Sequence, residues 1–589
     1  MSAAEVVVAI VKILIMVLFF LNMAALGPWA DRRQSAMIQD RLGPNRAVAY
    51  LPSNLARLIV LLPPALLGGL ALLPVLRGIK LAAAAEILPV NTFFAVLVAW
   101  VSLAILTGIV RSSGPINKAE ELLQGIDPRT IFYAGVAAHA ISLGAVGLIP
   151  PEHAVLAAQV SGAVLALFLF AAGIYTASRV PDGGVGLRVI GTLHVLADTV
   201  KMIIKEDFVP ARADKLLHAL APMLAVFPAL VTFAVLPFGD KLCVGGDPTR
   251  PLEWTDLTRV APLIPGPDFT CRGHVINLQI ADLNVGILYI FAMAGTGVVG
   301  AAIAGWASDN KWSLLGGLRA ASQMVSYEVT MGMSLLGMFI IYNSLRLQDM
   351  VNWQGSNAWG IFVQPLAFFL FLAASCAETK RIPFDQPEGE SEIVAGYFVE
   401  YSGLKWGMFM IGEYLELVGS SAILATLFFG GYHLPFLHHD GVTVAFGDNV
   451  LFAYKMNHVA VTIIMVLTFF LKTVVLMFLQ IFFRFTLPRF RYDQLMKLGW
   501  TRLLPLSIAN MLITGVLVLA IEGASPGVKS TLKVLADISQ AVIAVGFLAA
   551  FVALVVGLLE PVDRKTFLKS TAARFAAAVG GTKASPQQA

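Results

Sequence analysis

VVVAIVKILIMVLFFLNMAAL, residues 6–26, carries only Lys12 and Asn22 as polar side chains. A bilayer core about 30 Å thick needs about 20 mostly apolar residues in a helix that rises 1.5 Å per residue. The run is long enough to span. It is too long for the apolar part of a signal peptide and lacks an A-x-A-like cleavage site, so it reads as a retained helix. Similar runs recur along all 589 residues, of which 58% are hydrophobic and 13% charged, with a mean hydropathy of +0.78. That composition lies well above the apolar share of a soluble domain. The chain reads as an all-α polytopic integral membrane protein.

About thirteen spans satisfy the length requirement: 6–26, 55–76, 92–110, 131–150, 154–177, 217–237, 284–305, 328–345, 360–377, 408–430, 457–483, 503–521 and 538–559. The second contains LLPPALLGG, which suits a kinked or re-entrant segment. Four regions are rich in Lys and Arg: 31–46, 179–216, 484–502 and the tail, with Arg564, Lys565, Lys569, Arg574 and Lys583. Thirteen spans place all four on one face, which the positive-inside bias makes cytoplasmic. The N-terminus is then periplasmic and the C-terminus cytoplasmic. The longest loop of the other face, 238–283, holds Cys243 and Cys271. They would join in an oxidising compartment, or stay as two thiols otherwise. Cys376 falls in a span and reads as a small buried hydrophobe.

A net charge of +4 fits a membrane protein and does not point to nucleic acid. Three cysteines are too few for a four-thiolate iron–sulfur cluster. No Walker loop or HExxH motif occurs, so neither nucleotide nor metal binding is indicated.

Against this apolar background, DQPEGESEIVAGYFVEYSG, residues 385–403, gathers Asp385, Glu388, Glu390, Glu392 and Glu400. Enclosed like charges raise one another's pKa values. Pro383 and Pro387 stiffen the backbone and Gly389 permits a tight path, so the segment reads as a shaped loop. Glu413 falls within the following span, with Glu416 close behind. Glu328 sits at the start of another expected span, with Tyr327 beside it and Arg319 just before. Ionisable groups in spans are functional candidates by default, although helix-end acids reaching water give the same pattern. Asp31, Arg32 and Arg41 follow the first span, the last just before a Gly-Pro-Asn turn. In 196–210, Asp198, Lys201, Lys205 and Glu206 alternate with apolar residues at helical spacing, as in an amphipathic interfacial helix.

IQDRLGPNR, LADTVKMIIKED, ADLNVGILY, GWASDNKWSLLGGLRAASQMVSYEV, AETKRIPFDQPEGESEIVAGYFVEYSG and RYDQLMKLGW occur in that order. Together they resemble the H-subunit family of proton-translocating NADH:quinone oxidoreductase, respiratory complex I, a family that includes the first NADH dehydrogenase subunit of mitochondria. The likeness covers residues 1–46 and about 187–521. It implies a bacterial inner-membrane subunit that forms the membrane part of a quinone chamber. Asp31, Arg32, Arg41, Asp198, Arg381 and Asp385 would line the quinone site, and Glu388, Glu390 and Glu392 would form an acidic funnel. Glu328, Glu400 and Glu413, with Tyr327 and Arg319, would begin a proton path. Quinone would be a substrate, and this chain alone would bind no cofactor. Iron–sulfur clusters and FMN would lie in partner subunits, among them the hydrophilic quinone-site subunits; neighbouring membrane subunits and lipid would be further partners. No residue is catalytic in this chain by itself.

The sequence departs from the usual pattern in four ways. Residues 47–186 form an insertion of four expected spans, and 522–589 add a helix and a basic tail, against about eight helices in the family core at 1–46 and 187–521. Asp31 stands where Glu is common. Lys380 stands where Asn is common and adds positive charge beside the acids. A related membrane anchor of an energy-converting hydrogenase or formate hydrogenlyase is the alternative reading. A secondary ion transporter is a more distant one, because no internal repeat is evident.

Overall fold

The computed structural model describes residues 2–39, 43–44, 49–72, 154–178, 185–187, 191–257, 263–264, 270–380, 382–387, 389, 393–439, 441–446 and 449–559. They belong to two compact units, Met1–Asp31 with Asp198–Gly546, and Arg32–Ala197 with Phe547–Ala589.

The described helices are α1 (Ala3–Ile38), α2 (Ser53–Ala71), α3 (Ala154–Ser178), α4 (Leu193–Ile204), α5 (Lys215–Thr232), α6 (Gly286–Ala307), α7 (Lys311–Tyr342), α8 (Leu347–Ser356), α9 (Pro365–Glu378), α10 (Gly403–Phe428), α11 (His458–Thr486), α12 (Leu504–Glu522) and α13 (Pro526–Leu559). Seven helical segments among the described residues are long and apolar enough to cross a membrane. The chain is thus a mostly helical, multi-pass membrane protein, while a total of thirteen spans does not follow from these residues. The spans expected at 92–110 and 131–150 lie outside them. Short antiparallel strands also occur in the loops, including a three-stranded sheet within 437–455 that hydropathy did not signal.

Two boundaries differ from expectation for identifiable reasons. Helix α7 begins at Lys311, well before 328, capped by Asn310, whose side chain accepts from the Trp312 N–H at 2.9 Å. Polar residues in its first half dilute the hydropathy, and several of them bond within the protein. Gln323 is fully buried and donates to the carbonyls of Ala377 and Phe384 at 2.7 and 2.6 Å. The helix closes on Asn343 in the left-handed conformation. The expected span 360–377 is broken at Gln364, and α9 starts with Pro365 in its first turn. Its 14 residues reach only about 21 Å, short of a bilayer core, so its terminal Glu378 is brought into the protein.

In the first unit, helices approach through small residues, as lipid-embedded helices commonly do. A Cβ on Gly300 of α6 would lie 2.9 Å from the Ala225 nitrogen of α5, and one on Gly305 would lie 2.7 Å from the Ser313 carbonyl of α7. Gly295, Gly297 and Gly300 have the GxGxxG spacing, yet they lie within α6 rather than in a strand-to-helix turn. Phe20 of α1 stacks on Phe233 at 3.6 Å between ring centroids. Lys472 of α11 is buried, and its ammonium donates to the carbonyls of Phe429, Gly431 and His433 at 2.7, 3.0 and 2.6 Å. A cation at the carbonyl end of α10 is electrostatically favoured, which accounts for a lysine in a span.

In the second unit, α2 lies along α3, with Gly68 against the Phe170 ring. Residues 49–51 pair antiparallel with 185–187.

Candidate functional site

The acid-bearing loop after α9 is tied down on both sides. Besides the two Gln323 bonds, the Phe490 N–H donates to the Pro383 carbonyl at 3.2 Å. Gln386 donates to the Phe490 carbonyl, and Arg489 pairs with Asp385. The Asp385 side chain is buried, and its Oδ1 has no hydrogen-bond partner among the described residues. Burial pushes its carboxyl above the usual range, while the charges of Arg489 and Arg484 pull the other way without overcoming it.

A second polar group joins three helices. Asp31 near the end of α1 is buried, accepts from the Tyr414 hydroxyl of α10 at 2.6 Å, and pairs with Arg484 in the last turn of α11. Gly27 makes room for this, since a Cβ there would overlap the Tyr414 ring.

The third group lies within the helices. Glu378 at the end of α9 and Glu416 on α10 line one cavity of about 50 Å³, together with Thr232, Thr379 and Ser420. That space fits a few waters, since one needs about 10–15 Å³ of probe volume; it is too small for a quinone ring. The Lys380 ammonium lies 3.6 Å from Glu416 Oε2 and 5.9 Å from the centre of the Tyr397 ring. The Tyr397 hydroxyl donates to Glu413 Oε1 at 3.2 Å. Glu328 is placed midway along α7, not at its start, and a Cβ on Gly295 would lie 3.1 Å from its Oε1. Acids of α9 and α10 thus meet the C-terminal part of α5 and the first half of α6, with Lys380 beside them.

The other sequence candidates take different places. Tyr327 is fully buried and donates to the Leu495 carbonyl at 2.9 Å, and Arg319 lies over the Tyr492 ring at 5.8 Å. Both fasten the 492–498 helix. Glu400 accepts from the Asn310 side chain at 2.7 Å, beside the start of α7, where a negative charge is favourable. Asp198 is half-buried on α4, an amphipathic helix, and Arg32 is exposed in the other unit. Arg41, Arg381, Glu388, Glu390 and Glu392 lie outside the described residues.

Three participants carried no distinct sequence signal as site residues. Glu378 looked like the first residue of a wet loop, because the break at Gln364 was not apparent. Arg484 and Arg489 were visible only as part of a basic region. Their carboxylate partners are 453 and 104 residues away.

In the connection between α5 and α6, Cys243 and Cys271 are joined, with Cα atoms 5.8 Å apart, and the Cys243 N–H donates to His458 at the start of α11. Among the described residues no group of three or more His, Cys, Asp and Glu could hold a metal ion.

A family model described as NADH dehydrogenase matches residues 175–515. The chain is 41% identical over 329 residues to the first NADH-quinone oxidoreductase H-subunit of Cytophaga hutchinsonii, covering 56% of this chain and 84% of that protein. It is 41% identical over 328 residues to the second H-subunit of Geobacter metallireducens, covering 56% and 83%. To the second H-subunit of Koribacter versatilis it is 42% identical over 332 residues, covering 56% and 84%.

Proposed function

The chain belongs to the NADH dehydrogenase family, and from that premise we propose that it serves NADH-quinone oxidoreductase as the membrane subunit coupling quinone reduction to proton movement. The observation that carries this reading is the cavity lined by Glu378 and Glu416, beside Lys380 and close behind the Asp385 loop.

Quinone reduction consumes protons and changes the charge near the headgroup. Asp385, held between burial and two arginines, is among the described residues of this loop the one suited to donate a proton to the reduced oxygen. Arg489 and the Asp31–Arg484–Tyr414 group would orient the headgroup side of the chamber; Asp198, Arg32, Arg41 and Arg381 would be further quinone-site residues. Glu388, Glu390 and Glu392 would relay charge inward. Clustered carboxyls titrate as a set, so removing a proton at one end changes the affinity of the next. Glu328, Glu378, Glu413 and Glu416 would carry that change into the membrane, with Glu400 at the loop end. Electrons would come from an iron–sulfur cluster in a partner subunit that also carries or receives them from FMN. Hydrophilic quinone-site subunits and neighbouring membrane subunits would be the partners.

For topology, we assign the 379–402 and 484–502 loops to the cytoplasmic face of a bacterial inner membrane. Their mutual bonds through Arg489, Gln386 and Phe490 support a shared side. The Cys243–Cys271 loop then faces the periplasm, as does the N-terminus, and the C-terminus is cytoplasmic.

The test is made on the native assembly in sealed vesicles. NADH-driven quinone reduction should co-purify with the chain, and Glu413→Gln should lower proton pumping about tenfold or more. Pumping at normal turnover in that variant would remove Glu413 from the path. An assembly that evolves hydrogen and reduces no quinone would favour the hydrogenase anchor instead.

A further inference from the structure

Three hydroxyls line the acid cavity, and they differ in what holds them. Thr232 donates to the Ala229 carbonyl of its own helix at 2.8 Å, and Thr379 lies 3.2 Å from the Ser375 carbonyl. Ser420 also has its own helix partner, the Leu417 carbonyl at 3.0 Å, but it reaches a second helix as well. Its hydroxyl lies 3.2 Å from Oε1 of Gln480, on α11. Gln480 is buried, and its Nε2 lies 3.0 Å from the Ser421 hydroxyl.

The hydrogen-bond directions in this set are determined by counting protons. Ser421 lies 2.8 Å from the Leu417 carbonyl, so its one proton points there and its oxygen can only accept from Gln480. The Gln480 amide must then present Nε2 to Ser421 and Oε1 to Ser420. Rotating it would oppose two lone pairs at Ser421 in a buried site. With Oε1 facing it, the Ser420 proton is held between Leu417 and Gln480, and its lone pairs are left for the cavity. Ser420 is thereby an acceptor toward any water there. Such a water donates one proton to Ser420, keeps the other for a carboxylate, and offers its oxygen to a protonated acid.

We propose that Gln480 is a positioning residue for proton transfer between Glu378 and Glu416: by holding the Ser420 hydroxyl from a second helix, it orients the cavity water that passes a proton from one carboxyl to the other. Only O–H bonds break and form, and the proton lost by one acid is gained by its neighbour through the water. Gln480 touches neither quinone nor the reacting carboxyls. The sequence marks it only as a polar residue in an apolar run. Arg484, one turn further along α11, belongs to the Asp31 group, so the same helix face serves both. The inference rests on the proposed role of the cavity in proton movement.

The experiment uses the native assembly carrying Gln480→Leu, Gln480→Glu or Ser420→Ala, and measures NADH:quinone turnover, the quinone KM and the ratio of rates in H2O and D2O. Gln480→Leu should lower turnover about tenfold, with an unchanged quinone KM and a larger solvent isotope ratio. Ser420→Ala should raise the same ratio, which guards against a folding defect particular to α11. Gln480→Glu, with its buried carboxyl protonated, still donates to Ser421 and keeps an oxygen toward Ser420, and should stay within about threefold of the unsubstituted complex. An unchanged isotope ratio in both Gln480→Leu and Ser420→Ala overturns the proposal, as does a rise in quinone KM that accounts for the lost rate. Failure of the unsubstituted assembly to reduce quinone would instead defeat the functional reading.

Discussion

Lys380 holds its ammonium 3.6 Å from Glu416 Oε2 in a site where both side chains are largely removed from water. The residue follows α9 after Thr379, with a φ of 54°, a left-handed turn that few side chains adopt. The chain thus turns sharply to bring a cation to the acid cavity. A buried pair is costly to break, because the surviving charge stays desolvated.

Lys380→Met should therefore destabilise the region by about 3 kcal/mol and reduce quinone turnover in the assembly. Lys380→Arg should retain most of both. Thermal unfolding of the purified assembly and steady-state turnover measure the two effects. Equal turnover in the Met variant and the unsubstituted protein would show that this pair is not coupled to function.

Gly316 of α7 meets Gly396 so closely that a Cβ at 316 would lie 2.5 Å from the Gly396 Cα. The contact holds the end of the acid loop against α7, next to the Ser313 hydroxyl bonded to the Tyr397 carbonyl at 3.3 Å. Gly316→Val should cost about 1–3 kcal/mol through forced separation and displace Tyr397 from Glu413. Gly332→Ala, where an added Cβ meets nothing within 4 Å, should be tolerated. The yield of assembled complex for the two variants makes the comparison.

The loop between α10 and the three-stranded sheet responds to acid. Burial pushes the His433 imidazole down to about 4, against about 6.5 in an unfolded chain. Between those values the unfolded state binds the extra proton, so stability falls as pH drops through that window and is complete above about 6.5. Asp240 acts in the same direction at lower pH. Burial pushes its carboxyl up, but the His439 hydrogen bond and the charges of His439 and His433 outweigh this and leave it below the usual range. Its contribution is present above the unfolded value and disappears as pH falls through the folded one. His433 alone should cost about 3 kcal/mol on moving from pH 7 toward pH 4, and Asp240 adds its loss only below that. His433→Gln should flatten the pH dependence of the thermal midpoint between pH 7 and pH 5.

Cys243 and Cys271 close a loop with a sequence separation of 28, for which chain entropy suggests about 3 kcal/mol. In sealed right-side-out vesicles treated with a reductant, a membrane-impermeant maleimide should label Cys271 from the outside, while Cys243, fully buried, should react only on unfolding. Buried Cys376 should stay unlabelled. Labelling only in inverted vesicles would reverse the assigned orientation.

Much of the architecture was legible because span length is a local requirement. Runs such as 6–26 and 457–483 exceed the about 20 residues a bilayer demands, and the described helices α1 and α11 cover them. Glu328, Glu413 and Glu416 stood out for the converse reason, as acids where hydropathy expects none. Hydropathy failed where polarity and burial separate. Gln323 and Arg319 masked the first half of α7, while a single break at Gln364 hid the shortness of α9 and with it the interior position of Glu378.

By itself the sequence determined the class of protein, its family and the kinds of charge it carries in the membrane, since apolar length and ordered motifs are properties of contiguous residues. Tertiary structure decided the pairings: Asp31 with Arg484, Asp385 with Arg489, Lys380 with Glu416 and Gln480 with Ser420. None of these follows from spacing, because each joins separate elements. The direction of each bond depends on which neighbours have already taken the available protons.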